Sequence, residues 1–287
     1  MANSTQDWRI TWRRLRLGLQ TLLGAKRGFF IPYRYAAGIA DSQPVYAEIE
    51  ALLRAAAPQF AQVLQRIAAY DAALRAIAQP QPAGQAPGPR FDQSWFPTLD
   101  AAACYAILRD TRPRRVVEVG SGHSTRFIAR AMQDGGYDCT ITCIDPQPRA
   151  SLRGLPVDFR PGIAQTADPA IYAALQAGDV LFIDSSHILM PGTDVDFLFS
   201  RVLPRLPAGV LLHVHDIFLP DDYPRSWLWR GYNEQQLLPP MLMAGWQPLF
   251  ASHYAATRMA DMVKAGPVGR LPFSAEALPA SIWLRKD

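Results

Sequence analysis

The sequence predicts an α/β protein built on a doubly wound, mostly parallel sheet, with an N-terminal helical extension over residues 1–89. From Arg90 onward, short β-branched runs ("RVVEVG", "CTITCID", "VDFRPG", "DVLFIDSS", "GVLLHVHD") alternate with helical or turn-rich segments. That alternation is the pattern of parallel strands joined by crossover helices. The first run ends in a glycine turn, "VGSGHST", at the kind of strand end where open parallel sheets hold ligands. Ahead of this region, "QPQPAGQAPGP" at 79–89 has prolines and glycines without apolar periodicity and reads as a linker.

In chain order, "WRITWRRLRLGLQTLL" at 8–23 places Trp8, Trp12, Leu15, Leu19 and Leu22 at alternating spacings of four and three. A helix gathers them on one stripe beside the arginines. Such a stripe suits docking on the same chain or on a second subunit, as a lid or a dimer contact, and a peripheral membrane helix has the same pattern. After "GFFIPYRYA", residues 44–78 predict two helices separated near Pro58, whose ring breaks a continuing helix. "LDAAACYAILRD" is a further helix that leads into the strands. "WQPLFASHYA" and "ASIWLRK" close the chain as two strands without a long helix between them.

Composition narrows the function classes. The chain has 287 residues, 49% hydrophobic and 19% charged, enough for one large domain with an extension. A net charge of +4 is too mild to point to nucleic acid. The three cysteines, Cys104, Cys139 and Cys143, form no disulfide framework and no four-thiolate zinc site. They fit a reducing cytoplasm, Cys139 and Cys143 as small buried apolar groups. No apolar run approaches the roughly 20 residues that cross a bilayer. Asp7 and the early arginines do not form a signal peptide.

At the glycine turn, Gly120 and Gly122 let backbone approach a ligand, while Thr125 stands where the dinucleotide fingerprint requires a third glycine. Glu118 ends the first strand, and a buried unpaired carboxylate is costly, so a cationic ligand would relieve it. Asp145 ends the second strand, placed to accept hydrogen bonds from both hydroxyls of a ribose. In this order the residues resemble the class I S-adenosylmethionine-dependent methyltransferases. The resemblance covers residues 90 to 287, and implies a seven-stranded Rossmann-like sheet in an S-adenosylmethionine-binding catalytic domain. It also implies that Glu118, Gly120 and Gly122 lie by the amino-acid part of the cofactor and Asp145 by its ribose. Gly162 and Gln165 of "RPGIAQ" would approach the adenine, with Ser121 and Asp184 completing the cofactor set.

Four of the five histidines, His123, His187, His213 and His215, fall at predicted strand ends and are expected on one rim. His123 is placed to cap its helix or line the pocket. In one reading Asp184, His215 and Asp216 hold a divalent metal such as magnesium or manganese, and His187 removes the proton of an acceptor hydroxyl. In the other, the acids bond loop amides and the histidines are satisfied polar groups. The arrangement resembles catechol-type and sugar- or macrolide-type O-methyltransferases, with Asp184 and His187 matching the "D-x-S-H"-like turn of the latter. "HVHD" departs from the acid pair of both. "GFFIPYRYA", "WFP" and "HDIFLPDDYP" resemble a less characterised bacterial methyltransferase group.

The expected function is methylation of a small-molecule hydroxyl. Tyr223, Trp227, Trp229, Arg230 and Tyr232 are candidates for the acceptor's lining, as are Tyr33 and Tyr35. Two other classes fit parts of the pattern: an NAD(P)-dependent oxidoreductase, from the glycine turn and Asp145, and a non-catalytic binding or scaffold protein, from the long extension.

Overall fold

The computed structural model describes residues 4–29, 31–40, 45–80 and 88–287. The linker predicted at 79–89 therefore lies largely outside the described residues. Contacts divide the chain into two units, Met1–Asp41 and Ser42–Asp287. The first contains helix α1 (Ser4–Leu22) and a single 3₁₀ turn at Ala36–Gly38. Trp8, Trp12, Leu15, Leu19 and Leu22 are all exposed on α1.

The second unit begins with three helices, α2 (Ala47–Ala55), α3 (Ala57–Ala69) and α4 (Asp71–Ile77), where the sequence predicts two. Pro58 sits in the first turn of α3, a position where its missing N–H costs nothing, and the break falls just before it at Ala56. The second break is at Tyr70, which no proline or glycine marks. Tyr70 leaves helical geometry, its ring lies edge-on to Tyr105 and its hydroxyl donates to Asp110. Ile49, Leu53, Phe60, Val63, Leu64, Ile67, Leu74 and Ile77 are buried in the same core as the sheet. This shared core is why the contact boundary falls at residue 41 and not at the proline-rich stretch.

Next come α5 (Thr98–Thr111), β1 (Arg115–Val119), α6 (His123–Gly135), β2 (Thr140–Asp145), β3 (Asp158–Pro161), α7 (Pro169–Ala173), β4 (Val180–Ile183), α8 (Asp194–Phe197) and β5 (Leu211–His215). The chain ends with α9 (Leu238–Met243), β6 (Trp246–Ala251), α10 (Ser252–Arg258), α11 (Ala260–Ala265) and β7 (Ser281–Lys286). The seven strands form one sheet in the order β3-β2-β1-β4-β5-β7-β6. β1 to β5 are parallel, and β7 runs antiparallel between β5 and β6. This is the Rossmann-like methyltransferase arrangement.

Local chemistry explains the central strands. β1, β4 and β5 are buried nearly throughout, which suits strands covered on both faces. Asp179 aligns their starts: its carboxylate accepts the amides of Arg114, Arg115 and Gln176. α5 is buried from Thr98 to Leu108, and the alanines at 101–103 permit close packing against neighbours. Because β2 and β4 lie on opposite sides of β1, the chain reverses winding direction there. A crevice at the carboxyl ends of β1 and β4 follows from that reversal.

Candidate functional site

The β1–α6 turn is held from below by Glu118. This carboxylate is fully buried and accepts hydrogen bonds from Ser124 Oγ and Thr125 Oγ1, each at 2.6 Å, and from Cys143 Sγ at 3.3 Å. Thr125 Oγ1 in turn accepts the amide of Gly122 at 2.9 Å. Glu118 thus finds its partners in its own chain, where the sequence suggested a cationic ligand. Burial pushes its carboxyl up to about 7, partly opposed by those hydroxyls. Thr125, standing in the third-glycine position, is the link between the acid and the turn.

Gly120 and Gly122 have φ of 82° and 156°, in the region that favours glycine. At Gly120 the space requirement is equally strict, since a Cβ there would fall 1.7 Å from the Asp184 carbonyl oxygen. The Asp184 amide donates to Val119 O at 2.9 Å, so the end of β4 is pinned to the end of β1 just before that carbonyl.

Asp145 closes β2 against the same turn. Its Oδ2 accepts the Ser121 amide at 2.6 Å and the Ser121 hydroxyl at 3.2 Å, and its Oδ1 accepts the Gln147 amide at 2.6 Å. A carboxylate has about four acceptor sites, so one lone pair remains beyond these three bonds. Farther along, the Gly162 amide donates to Asp145 O at 3.3 Å. Gln165 Nε2 donates to Gly192 O at 2.9 Å, which ties the β3 turn to the segment before α8.

The loops after β4 and β5 bring together Asp184, His187, His215 and Asp216. His187 Nε2 lies 3.5 Å from Asp184 Oδ1 and 3.4 Å from Asp216 Oδ2. His215 Nδ1 lies 3.5 Å from Asp184 Oδ1 and 3.3 Å from Asp216 Oδ1. A fifth member, Glu234, was not found from the sequence: its Oε2 lies 2.8 Å from His187 Nδ1, and both side chains are buried. An acid inside "GYNEQQLL" was the available signal. The His187 ring also packs against Tyr232, 4.7 Å between centroids.

Electrostatics sets the protonation of this cluster. Burial alone would lower both His187 and His215, but the surrounding carboxylates outweigh it and raise both well above the ordinary histidine range. For Asp184, burial works upward and is overcome by His215 and His187, leaving the carboxyl well below the usual carboxylate range. The neighbouring carboxylates thus favour the charged form of both imidazoles. To act as a general base, His187 would first have to give up a proton that they help it hold.

The metal expectation for Asp184, His215 and Asp216 finds no support in the arrangement of these side chains. Among the described residues, no group of three or more His, Cys, Asp and Glu side chains is arranged to hold a metal ion. At Asp184, His215 and Asp216 the imidazole Nδ1 of His215 faces both carboxylates, 3.5 Å from Asp184 Oδ1 and 3.3 Å from Asp216 Oδ1.

The other two histidines differ in their placing: His213 leaves the expected rim, while His123 stays at the β1–α6 turn. His213 is fully buried, stacked on Phe182 at 3.7 Å and close to Trp283 at 4.8 Å, with neither ring nitrogen hydrogen-bonded. Burial, with His215 nearby, keeps it neutral. It lies two residues before the strand end, within the aromatic core. His123 opens α6, mostly buried, and burial with the Arg126 charge lowers it to about 4.

Tyr223 packs with Phe218, and Trp227 and Tyr232 lie against that pair. The Arg230 guanidinium sits 3.8 Å from the Trp227 centroid, and Trp229 is exposed. Tyr33 and Tyr35 belong to the N-terminal unit, where their rings meet edge to face at 5.9 Å.

Residues 117–217 match the family model described as a methyltransferase domain. That match runs from β1 through β5 and takes in the glycine turn, 101 of the chain's 287 residues. No curated protein matches the chain. Among solved structures, the methyltransferase domain and its flanks are similar to CmcI in a form described as Mg-SAM, at 15% identity over 74% of this chain and 84% of that one, TM-score 0.42. They are also similar to an O-methyltransferase from Bacillus cereus in complex with SAH, at 15% identity over 79% and 91%, TM-score 0.38. A third is the O-methyltransferase TomG from Streptomyces achromogenes in complex with SAM, at 14% identity over 78% and 89%, TM-score 0.37.

Proposed function

We propose that this methyltransferase takes its methyl group from S-adenosylmethionine and transfers it to a hydroxyl oxygen of a small molecule, with residues 90–287 as the catalytic part. The observation that carries the reading is the braced glycine turn. Glu118 holds Ser124 and Thr125, Thr125 holds Gly122, and Asp145 holds Ser121, all at the crevice between β1 and β4. Gly120, Ser121 and Gly122 would take the amino-acid part of the donor. The remaining acceptor capacity of Asp145 would meet the ribose, with Gly162 and Gln165 by the adenine.

In the reaction, an oxygen lone pair forms the new C–O bond as the S–CH₃ bond breaks, its electrons returning to sulfur to give a thioether. The hydroxyl proton passes to His187 Nε2 once that nitrogen has lost its own. Asp184, Asp216 and Glu234 favour the charged imidazole, so they stabilise the charge His187 acquires while making its neutral form scarce near pH 7. Proximity in the crevice supplies most of the remaining acceleration. A divalent metal such as magnesium or manganese, were one bound, would be held by Asp184, His215 and Asp216 and would lower the pKa of the acceptor hydroxyl; no step is assigned to it. The proposed compartment is the cytoplasm, in keeping with three free cysteines.

Titration calorimetry of the purified protein with S-adenosylmethionine tests the donor assignment. Saturable binding with displacement by S-adenosylhomocysteine is expected. Absence of heat at millimolar donor, or retention of NADH in its place, overturns it.

A further inference from the structure

The charge of this chain is unevenly placed. Residues 1–41 contain seven arginines and lysines against two acids, which leaves 22 basic and 23 acidic residues for everything after them. The whole net positive charge therefore belongs to the N-terminal unit. Within that unit α1 presents a second feature. Trp8, Trp12, Leu15, Leu19 and Leu22 fall within an arc of about 80° of the helix. Each is more than half exposed, Trp12 by 61% and Leu22 by 63%. Leu23, Phe29, Ile31 and Ile39 beyond the helix are exposed as well. Arg9 and Arg16 run along one margin of the stripe, and the Arg9 guanidinium lies 5.9 Å from the Trp8 ring.

We propose that α1 binds anionic phospholipid surfaces, lying in the interface plane with its tryptophans and leucines inserted and its arginines among the headgroups. Several observations favour lipid over another partner. Tryptophan at the first turns of the stripe suits the headgroup boundary, where an amphipathic ring has one apolar face and one polar edge. Arginine next to an apolar arc, with net hydrophobicity too low for insertion across the bilayer, is the composition of an interfacial helix. None of the described helices is long and apolar enough to cross a membrane. Charge complementarity selects an anionic surface, since each basic residue near such a surface adds attraction. A second copy of this chain would bring the same positive unit against itself if the stripes paired, which repulsion opposes.

The test uses the full chain and sedimentation with sucrose-loaded vesicles. Vesicles of phosphatidylcholine with about 30% phosphatidylglycerol are expected to carry the protein into the pellet at low salt, and pure phosphatidylcholine to carry at least about tenfold less. Trp8→Glu with Trp12→Glu should abolish partitioning. Arg9→Gln, Arg13→Gln, Arg14→Gln and Arg16→Gln together should lower it by about tenfold or more and weaken its salt dependence. Both variants should keep the wild-type melting temperature of the sheet-bearing unit, which separates loss of binding from loss of fold. Protein that stays in the supernatant with anionic vesicles overturns the proposal, as does equal binding to neutral vesicles. A dimer seen by light scattering that dissociates in the Trp8/Trp12 variant, without vesicle binding in the wild type, overturns it in favour of self-association.

Discussion

His187 and Asp216 both adopt left-handed backbone, φ 59° and 56°, and from those positions His187 Nε2 meets Asp216 Oδ2 at 3.4 Å. Left-handed conformations cost free energy in residues other than glycine and tend to be retained where a site depends on them. Two such residues facing each other across the ends of β4 and β5 mark the place where backbone strain has been accepted for side-chain geometry. Asp216→Asn tests the electrostatic half of this, since asparagine tolerates the same backbone. Removing the charge lowers the His187 pKa, so the rising limb of the pH–rate profile should move toward acid by about one pH unit. Initial rates across pH 6 to 10 measure it. An unmoved limb would detach His187 from the rate.

Replacement of the imidazole itself gives a separate outcome. His187→Asn keeps the left-handed turn feasible and should lower turnover by roughly 10²- to 10⁴-fold, the usual contribution of a positioned base. Donor affinity by calorimetry should stay within a few-fold. Loss of donor binding in place of turnover would assign His187 to the cofactor.

The carboxyl of Glu118 makes stability depend on pH. Its folded pKa of about 7 lies above its ordinary value of 4.5. The folded state therefore holds the proton more tightly, and the stabilising contribution is complete below 4.5 and disappears as pH rises through 7. The full swing is on the order of 3 kcal/mol. Thermal melts of Glu118→Gln should show a smaller loss between pH 5 and pH 8 than the wild type. Parallel curves for the two proteins would count against a raised carboxyl.

Gly120→Ala should be severe. The added methyl meets the Asp184 carbonyl oxygen in a turn with φ 82°, so either β4 moves or the turn opens. We expect several kcal/mol of lost stability and no measurable donor binding. Wild-type melting with normal donor affinity would refute this.

His213→Phe is expected to stabilise. Two ring nitrogens buried without partners are replaced by carbon, worth about 1–3 kcal/mol if the larger ring fits beside Phe182. The gain should grow below pH 6.5, because a buried neutral histidine loses ground when the unfolded chain can take up a proton. Chemical denaturation at pH 5 and pH 8 checks both parts.

Much of the sheet was legible because its parallel strands are covered on both faces and so read as continuous apolar runs, as in "VLFI" of β4. The break at Tyr70 was not, since it depends on a ring packing against Tyr105 and a hydroxyl reaching Asp110 from a distant helix. The acids at 118, 145, 184 and 216 were found from their places at strand ends. Their partners were not: whether Glu118 meets a ligand or two hydroxyls depends on the fold of α6. Asp100 was also missed. It is fully buried, accepts from the hydroxyls of Ser252 and Ser281 and from the Ala280 amide, and its partners lie more than 150 residues away in sequence. Only the sheet brings β7 and α10 to it.

Asp184 is fastened to β1 by its own amide while its carbonyl blocks the space above Gly120, and its carboxylate faces both imidazoles. With donor and acceptor seated as proposed, a shift of this residue toward one would displace the other's seat. Any change that one then makes in the dissociation constant of the other would be returned by an identical factor.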